Sequence, residues 1–586
     1  MNARSLFVVA VCLALVAWFW CRGERFLAAN GPTFDEPVHL AAGYSYWATG
    51  SFKLNREDPP LLKLLWAAPL ALGDAPPYPH DVARETDDNH WHVGNAFLFN
   101  SGRAPSELLN PARRVNLAIG CAVVLLAGWW AYRLWGARIA GVGAVGFAVC
   151  DPTLLALSCV LSTDIGLTLF TLLACYLVWE YTAKPSRRLL IGAGVALGLA
   201  LGTKFSALAV VLGLGAAGVV YVLRGGRLAL PNAPADASRG RALAEFAFRF
   251  GLIAFVTLAA TYWFVHFDQW GRGLKFQLTR AEHGDGMMYL NGELSRTGWY
   301  HYFLVLLPLK LPLGLLVGVL LATAAGRLRR APRLAFLIVP AMVFFALASY
   351  SRVNLGVRVV LPVLPFLYIL AAGLGSNACC RCAGIALLAG CLAWAGVSAM
   401  RSDPYPVAYF NELAGGSRGG IRYVADSNAD WGQGLPALKA YLDANGPDVI
   451  YLAYFGTARP EAYGIRYQSL PTYGRVGEPG GEVVRANASR HVVVVSANNL
   501  LGIYLNDPRT FAWLRTREPV AILGGCLYVF DLTGDADAIH RVRAISEKFG
   551  SRPAPWPTAT QSAQPVQLRE RRGLLLAEQV ARDRVQ

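Results

Sequence analysis

The stretch SLFVVAVCLALVAWFWC, from Ser5 to Cys21, carries no charge and is followed at once by Arg22, Glu24 and Arg25. A helix of that length rises far enough to cross a hydrocarbon core. A cleaved signal peptide is the competing reading, but bulky Trp18, Phe19 and Trp20 stand where a cleavage site needs small residues. The run is therefore expected to be a retained first helix.

Ten further apolar runs lie near residues 113–132, 138–156, 161–181, 189–203, 205–223, 248–266, 302–323, 334–350, 357–374 and 383–400. Together they predict a polytopic α-helical membrane protein of about eleven transmembrane helices. Composition agrees: 55% of the 586 residues are hydrophobic and only 16% charged, more apolar surface than a soluble core hides. The net charge of +16 would point to nucleic acid in a soluble protein. Here the basic residues lie mainly between apolar runs: Arg133 and Arg138; Lys184, Arg187 and Arg188; Arg224, Arg227, Arg239, Arg241 and Arg249; then Arg327, Arg329, Arg330, Arg333 and Arg381. With a cytoplasmic N-terminus these all fall inside, as the positive-inside rule requires, and an odd number of spans leaves the C-terminal segment outside. Ten of the eleven cysteines sit in or beside apolar segments, which argues against a disulfide framework. Cys379, Cys380 and Cys382 lack a second ligand pair at zinc spacing.

The expected organisation is a transmembrane catalytic domain at 1–400, including an outside loop at 22–112 with surface helices. An extracytoplasmic α/β domain follows at 401–545, and a disordered tail at 546–586. Strand-like runs Ile421–Ala425, Val449–Tyr454, His491–Ser496 and Val520–Phe530 surround a helix at Leu435–Leu442.

The first outside loop carries the chemistry. In Thr33-Phe34-Asp35-Glu36-Pro37-Val38-His39 a helix can start and place Asp35 and His39 on one face. Thr33 and Glu36 fit a capping box, and Asp35 suits a helix N-terminus. The functional alternative makes Asp35 a carboxylate that orients or deprotonates an attacking group. In Arg56-Glu57-Asp58-Pro59-Pro60-Leu61-Leu62-Lys63, Asp58 is an expected N-cap, and Lys63 either snorkels or meets a phosphate. Lys204 and Arg358 fall at outer ends of spans, as helix anchors or as cations for a phosphate. Lys310, inside a predicted span, binds a phosphate or pairs with Asp164. Arg296 and His301 border a third outside loop and can contact phosphate or sugar. Glu282, His283 and Asp285 lie there too, at a spacing too unspecific to assign a metal.

These elements, in this order, resemble the GT-C membrane glycosyltransferases, in the branch of the protein O-mannosyltransferases and the aminoarabinose transferase of lipid A. The resemblance rests on Asp35-Glu36, Pro59-Pro60-Leu61-Leu62-Lys63, Ser162-Thr163-Asp164 and Gly202-Thr203-Lys204-Phe205-Ser206. It continues in Gly292-Glu293 with Trp299-Tyr300-His301-Tyr302-Phe303, and in Gly356-Val357-Arg358 before Leu361-Pro362. It implies a polyprenyl-phosphate-linked sugar donor and transfer with inversion to an extracytoplasmic protein or glycan acceptor; the Arg/Ala-rich composition points to a bacterial inner membrane as the setting, with the site expected on the periplasmic side. The resemblance assigns Asp35 as catalytic carboxylate with Glu36 as helper; Lys204 and Arg358, standing within its motifs, are expected donor-phosphate ligands, and Lys310 and Lys63 join them by their position in the sequence. His39, Asp58, Asp164, Arg296 and His301 are acceptor or sugar contacts. No cofactor is implied with certainty, although a divalent cation is compatible. One departure is Asp58, where the family often has His before Pro-Pro. A later segment, Asp426-Ser427-Asn428-Ala429-Asp430-Trp431, resembles a subgroup with an added outside domain. Ser427, Asn428 and Asp430 there line an acceptor site or form a cap and turn around a buried Trp. A transporter or flippase of a lipid-linked sugar is the alternative function, disfavoured by the lack of an internal repeat.

Overall fold

The computed structural model describes residues 3–550 except 75, 87, 232–237, 284–285, 326–331, 377–380 and 475–489. The protein is an integral membrane protein. Eight helices among the described residues are long and apolar enough to cross a membrane, and two bent helix pairs raise this to ten. The run at 189–203 is the shorter helix Arg187–Leu201, which packs between Thr163–Tyr181 and Arg239–Thr261. It crosses as well. Lys204, just past its end, meets Asp164 at the start of Thr163–Tyr181, so the two helices run the same path in opposite directions. Parity agrees. The segment after the first helix bonds to the region after the last one, Gly31 N–H to the Gln433 carbonyl at 2.9 Å and Phe34 N–H to the Trp431 carbonyl at 2.8 Å. Both lie on one side of the membrane, which requires an odd number of crossings.

The two bent pairs have local causes. Arg138–Val149 and Pro152–Cys159 meet at 64°, where Asp151 caps the second helix by accepting the Thr153 N–H at 2.8 Å, ahead of a proline. Tyr302–Lys310 and Leu313–Ala324 meet at 111°, with Pro312 unable to continue the first helix. Broken helices leave backbone groups unpaired at depth, and such backbone persists only where protein satisfies it.

The loop after the first helix folds into Glu36–Thr49 and Leu61–Ala71, packed so closely that a Cβ on Gly43 would stand 2.0 Å from the Lys63 carbonyl oxygen. The expected N-cap role of Asp58 is not what forms: Pro60 occupies the cap of Leu61–Ala71, and two prolines supply the stiffness that starts it.

Beyond Ser402 the chain turns into a region of short helices and one mixed sheet. Its strands are β3 (Val449–Ala453), β4 (Gln468–Ser469), β5 (His491–Ser496), β6 (Ala521–Leu523) and β7 (Leu527–Asp531), in the order β4-β3-β5-β7-β6. The β3 strand runs parallel to β4 and β5, whereas β7 runs antiparallel to β5 and β6. An earlier hairpin, β1 (Met288–Leu290) with β2 (Glu293–Ser295), lies in the third outside loop. Three expectations need correction. Ile421–Ala425 is a turn, touching Leu290 through one isolated bridge at Val424. Val520–Phe530 is split into a hairpin by Gly524 and Gly525, both at positive φ. Residues 546–550 close the helix Ala536–Gly550, while 551–586 lie outside the described residues.

Candidate functional site

Glu36 shows how the site is anchored. It sits in the first turn of Glu36–Thr49, wholly buried, and accepts four hydrogen bonds. Arg113 gives two, Nε to Oε1 at 2.8 Å and Nη2 to Oε2 at 2.6 Å. The Thr33 N–H gives one at 2.7 Å and the Leu161 N–H one at 3.0 Å. Only half of the expected capping box forms, because the Thr33 hydroxyl finds no partner. Burial pushes the Glu36 carboxyl up, but the Arg113 guanidinium and these hydrogen bonds outweigh it and hold it below its usual range. Arg113 also grips the Asn30 and Gly31 carbonyls at 3.1 and 2.8 Å. Glu36 is thus a structural keystone tying three segments, with no open lone pair for an acceptor; the helper role gives way to this geometry.

Asp35 is oriented differently. It stands at the N-cap of the same helix but makes no side-chain cap. Its Oδ2 instead faces Arg358 Nη1 at 3.2 Å, and both side chains are partly open. Arg358 lies at the start of the 3-10 segment Val357–Val363, its guanidinium stacked on the Trp431 ring at 4.7 Å. Gly356 before it adopts φ +103°, and a Cβ there would meet the Ser427 hydroxyl at 2.7 Å.

Ser427, Asn428 and Asp430 build this mount, and Ser427 also lines a narrow cavity with Arg358, Trp431 and Lys310. The Ser427 hydroxyl donates to the Leu355 carbonyl. Asn428 Oδ1 accepts the Val357 N–H at 2.9 Å, and its amide donates to Tyr302 and to the Ala425 carbonyl. Asp430 accepts the Gly432 and Asn498 N–H groups, each at 3.2 Å. Its carboxyl is pushed up to about 7, chiefly by burial. Asn428 and Asp430 are wholly buried, so the cap-and-turn reading is the one the geometry bears.

A second ion pair joins Lys204 Nζ to Asp164 Oδ1 at 2.6 Å, with the Ser162 hydroxyl donating to the other oxygen. Arg358 acts on the same carboxylate through space. Asp35, Arg358, Asp164 and Lys204, drawn from four distant segments, therefore form one charged cluster at the span ends. Lys310 is not in it. Its three N–H bonds go to the carbonyls of Val407, Tyr409 and Asn428 at 2.9, 2.6 and 2.7 Å. The expected Asp164 partner is already held by Lys204, and no proton of Lys310 remains for a phosphate.

Lys63 is likewise taken inward. It is buried and donates to the Asn55 and Asp58 carbonyls at 2.5 and 2.9 Å, and burial lowers its ammonium to about 8 against the pull of Asp58 and Glu57. Snorkelling and phosphate contact both yield to this. The loop it steadies presents a polar edge. His39 bonds the Leu161 carbonyl through Nδ1 at 2.7 Å and turns Nε2 toward Asp58 at 4.0 Å. Glu57 meets His90 at 3.6 Å and Arg280 at 3.1 Å. Burial raises the Glu57 carboxyl, but Arg280, His90 and Lys63 together bring it below its usual range. Arg296 and His301 are exposed, and no recorded hydrogen bond or ion pair joins them to the Asp35 cluster among the described residues. No group of three metal-ligating side chains occurs among the described residues; Asp285, and the side chains of Glu282 and His283, lie outside them.

Sequence reasoning missed Arg113 and Trp431. Arg113 had a signal, one of two adjacent arginines opening an apolar run at the outer end of a span. Trp431 was read only as a possible buried ring.

Residues 8–233 match the family profile described as dolichyl-phosphate-mannose-protein mannosyltransferase. Among solved structures, ArnT from Cupriavidus metallidurans in the apo state is 17% identical, with 90% of this chain and 98% of that chain covered and a TM-score of 0.45. The same protein bound to undecaprenyl phosphate is 15% identical, with 91% and 98% covered and a TM-score of 0.44. The Pmt1-Pmt2 protein O-mannosyltransferase complex of S. cerevisiae, bound to the sugar donor, is 17% identical over 45% of this chain and 34% of that one, with a TM-score of 0.33. A search of curated proteins returned no match. Over residues 8–233 the chain is thus similar in sequence to the dolichyl-phosphate-mannose-protein mannosyltransferases, and the resemblance to membrane glycosyltransferases carried by its motifs stands.

Proposed function

We propose that this protein is a membrane glycosyltransferase that moves a sugar from a polyprenyl-phosphate carrier to an extracytoplasmic acceptor with inversion, Asp35 serving as base. The single observation that carries the reading is the ion pair of Asp35 with Arg358, beside that of Asp164 with Lys204, at one membrane surface. A cluster of two cations and two carboxylates is neutral before the donor arrives. The carrier phosphate draws Arg358 and Lys204 toward itself, stabilising the charge that grows on the leaving oxygen. Asp35, released from Arg358, then accepts the proton of the acceptor hydroxyl or amine as its oxygen or nitrogen attacks the anomeric carbon and the carrier phosphate departs. The basic residues of the loops expected on the opposite face support a site outside the cytoplasm, as in a bacterial inner membrane with a periplasmic site.

In this reading residues 1–400 form the catalytic domain and 401–545 an outside domain attached to it. The acceptor is a protein or a glycan. In vesicles containing the purified protein and a polyprenyl-phosphate-linked sugar, Asp35→Asn should abolish transfer and leave thermal unfolding unchanged. Transfer by that variant at the wild-type rate overturns the assignment. Movement of the lipid-linked sugar across the vesicle without its consumption favours a flippase instead.

A further inference from the structure

Outside the charged cluster, one feature touches both of its leading members. The segment after Phe34 and the segment before Arg358 are separated by more than 300 residues, yet both are fastened to the loop 426–433 of the C-terminal region. On one side the Trp431 carbonyl accepts the Phe34 N–H at 2.8 Å, the Gln433 carbonyl accepts the Gly31 N–H at 2.9 Å, and the Thr457 hydroxyl donates to the Phe34 carbonyl at 2.7 Å. On the other, Ser427 and Asn428 hold Leu355 and Val357, and the Trp431 ring lies under the guanidinium of Arg358. Trp431 is 4% exposed, and its own N–H is held by the Gln433 side chain at 2.8 Å. It therefore has a fixed backbone, a fixed ring, and one bond to each side of the pair.

We propose that Trp431 is a positioning residue for donor binding: it seats the Arg358 guanidinium while its carbonyl fixes the segment bearing Asp35, so that the C-terminal region completes the site. The inference rests on the assignment of Arg358 to the carrier phosphate. An aromatic face attracts a guanidinium through its quadrupole while leaving the N–H edge free. That edge can turn from Asp35 to a phosphate without the cation leaving its seat. An aliphatic side chain offers no such attraction, and the smaller Leu also leaves part of the buried space empty.

The test uses full-length protein and undecaprenyl phosphate as probe, with affinity measured directly, so that it does not depend on transfer. Trp431→Leu should weaken binding about tenfold, the worth of one well-buried cation–π contact. Trp431→Phe, which keeps a ring face, should stay within about threefold of wild type. In an Arg358→Ala background Trp431→Leu should add nothing, because its effect passes through Arg358. Unchanged affinity in Trp431→Leu overturns the proposal, as does a further tenfold loss in the Arg358→Ala background. Should Trp431→Leu fail to fold, Trp431→Met, a longer and more adaptable side chain without a ring face, gives the same comparison. Its loss must likewise vanish in the Arg358→Ala background, and persistence of that loss counts against the proposal. Failure of the transferase reading is separate: it shows as movement of the lipid-linked sugar without its consumption, a result that leaves probe affinity and its dependence on Trp431 untouched.

Discussion

Replacing Glu36 by Gln separates scaffolding from chemistry in the Asp35-Glu36 pair. The carboxylate accepts four hydrogen bonds, two of them from Arg113, which is 1% exposed. A carboxamide keeps one oxygen, able to take two of those bonds, and turns its NH₂ toward the remaining donors. Two donors are then left unmet, at about 1–3 kcal/mol each, and a buried guanidinium loses its counter-charge. Both routes converge on a loss of about 3–5 kcal/mol, the usual consequence of breaking a buried ion pair from one side. The variant should unfold at clearly lower temperature in detergent, followed by tryptophan fluorescence, and should retain transfer when assayed well below that midpoint. A variant with wild-type unfolding and no transfer would refute the argument, since it would give Glu36 a role in the reaction.

Lys310→Met should loosen the junction between the bent helix and the C-terminal region, because three carbonyls lose their donor. Limited proteolysis near residue 407 should accelerate, with undecaprenyl phosphate affinity within about twofold of wild type; a large loss of affinity would restore a phosphate role. Asp430 binds its proton more tightly folded than unfolded, since its carboxyl is raised to about 7 from an ordinary value near 3.8. In that window the folded state holds more protons, so stability falls as pH rises from about 4 to 7. Asp430→Asn should flatten this part of the unfolding profile, and an unaltered slope in the variant would assign it to another group.

The membrane part of the fold was legible because a span is a local property: about twenty apolar residues suffice, wherever their neighbours lie. The helix Arg187–Leu201 tests that rule. At 15 residues it is short for a crossing, and its meeting with Asp164 through Lys204 shows that it runs back alongside Thr163–Tyr181. Strand reading failed where tertiary contacts decide. Ile421–Ala425 has the composition of a strand, yet backbone turns from Gly419 and Gly420 hold it against the β1–β2 hairpin. The Gly524-Gly525 turn, by contrast, was written in the sequence and overlooked.

The candidate site divides the same way. Asp35, Arg358, Lys204 and Asp164 stood out as charges at span ends, and the fold gathers them. The fates of Lys310 and Lys63 were not readable, because a lysine that holds carbonyls and one that awaits an anion look alike in sequence. Glu36 could be weighed as a cap, but its partner Arg113 lies 77 residues away, and such pairings have no local signature.

Arg22, within the first helix Ala3–Ala29, is buried and bound to Asp403, which lies 381 residues further along the chain. Synthesis at about 5–20 residues per second leaves that arginine waiting on the order of 20–80 s for its counter-charge. During that interval Phe34 and Arg358 also lack the loop that fastens them. A chain that stops short of Trp431 therefore lacks the loop that fastens the Phe34 and Arg358 segments to one another.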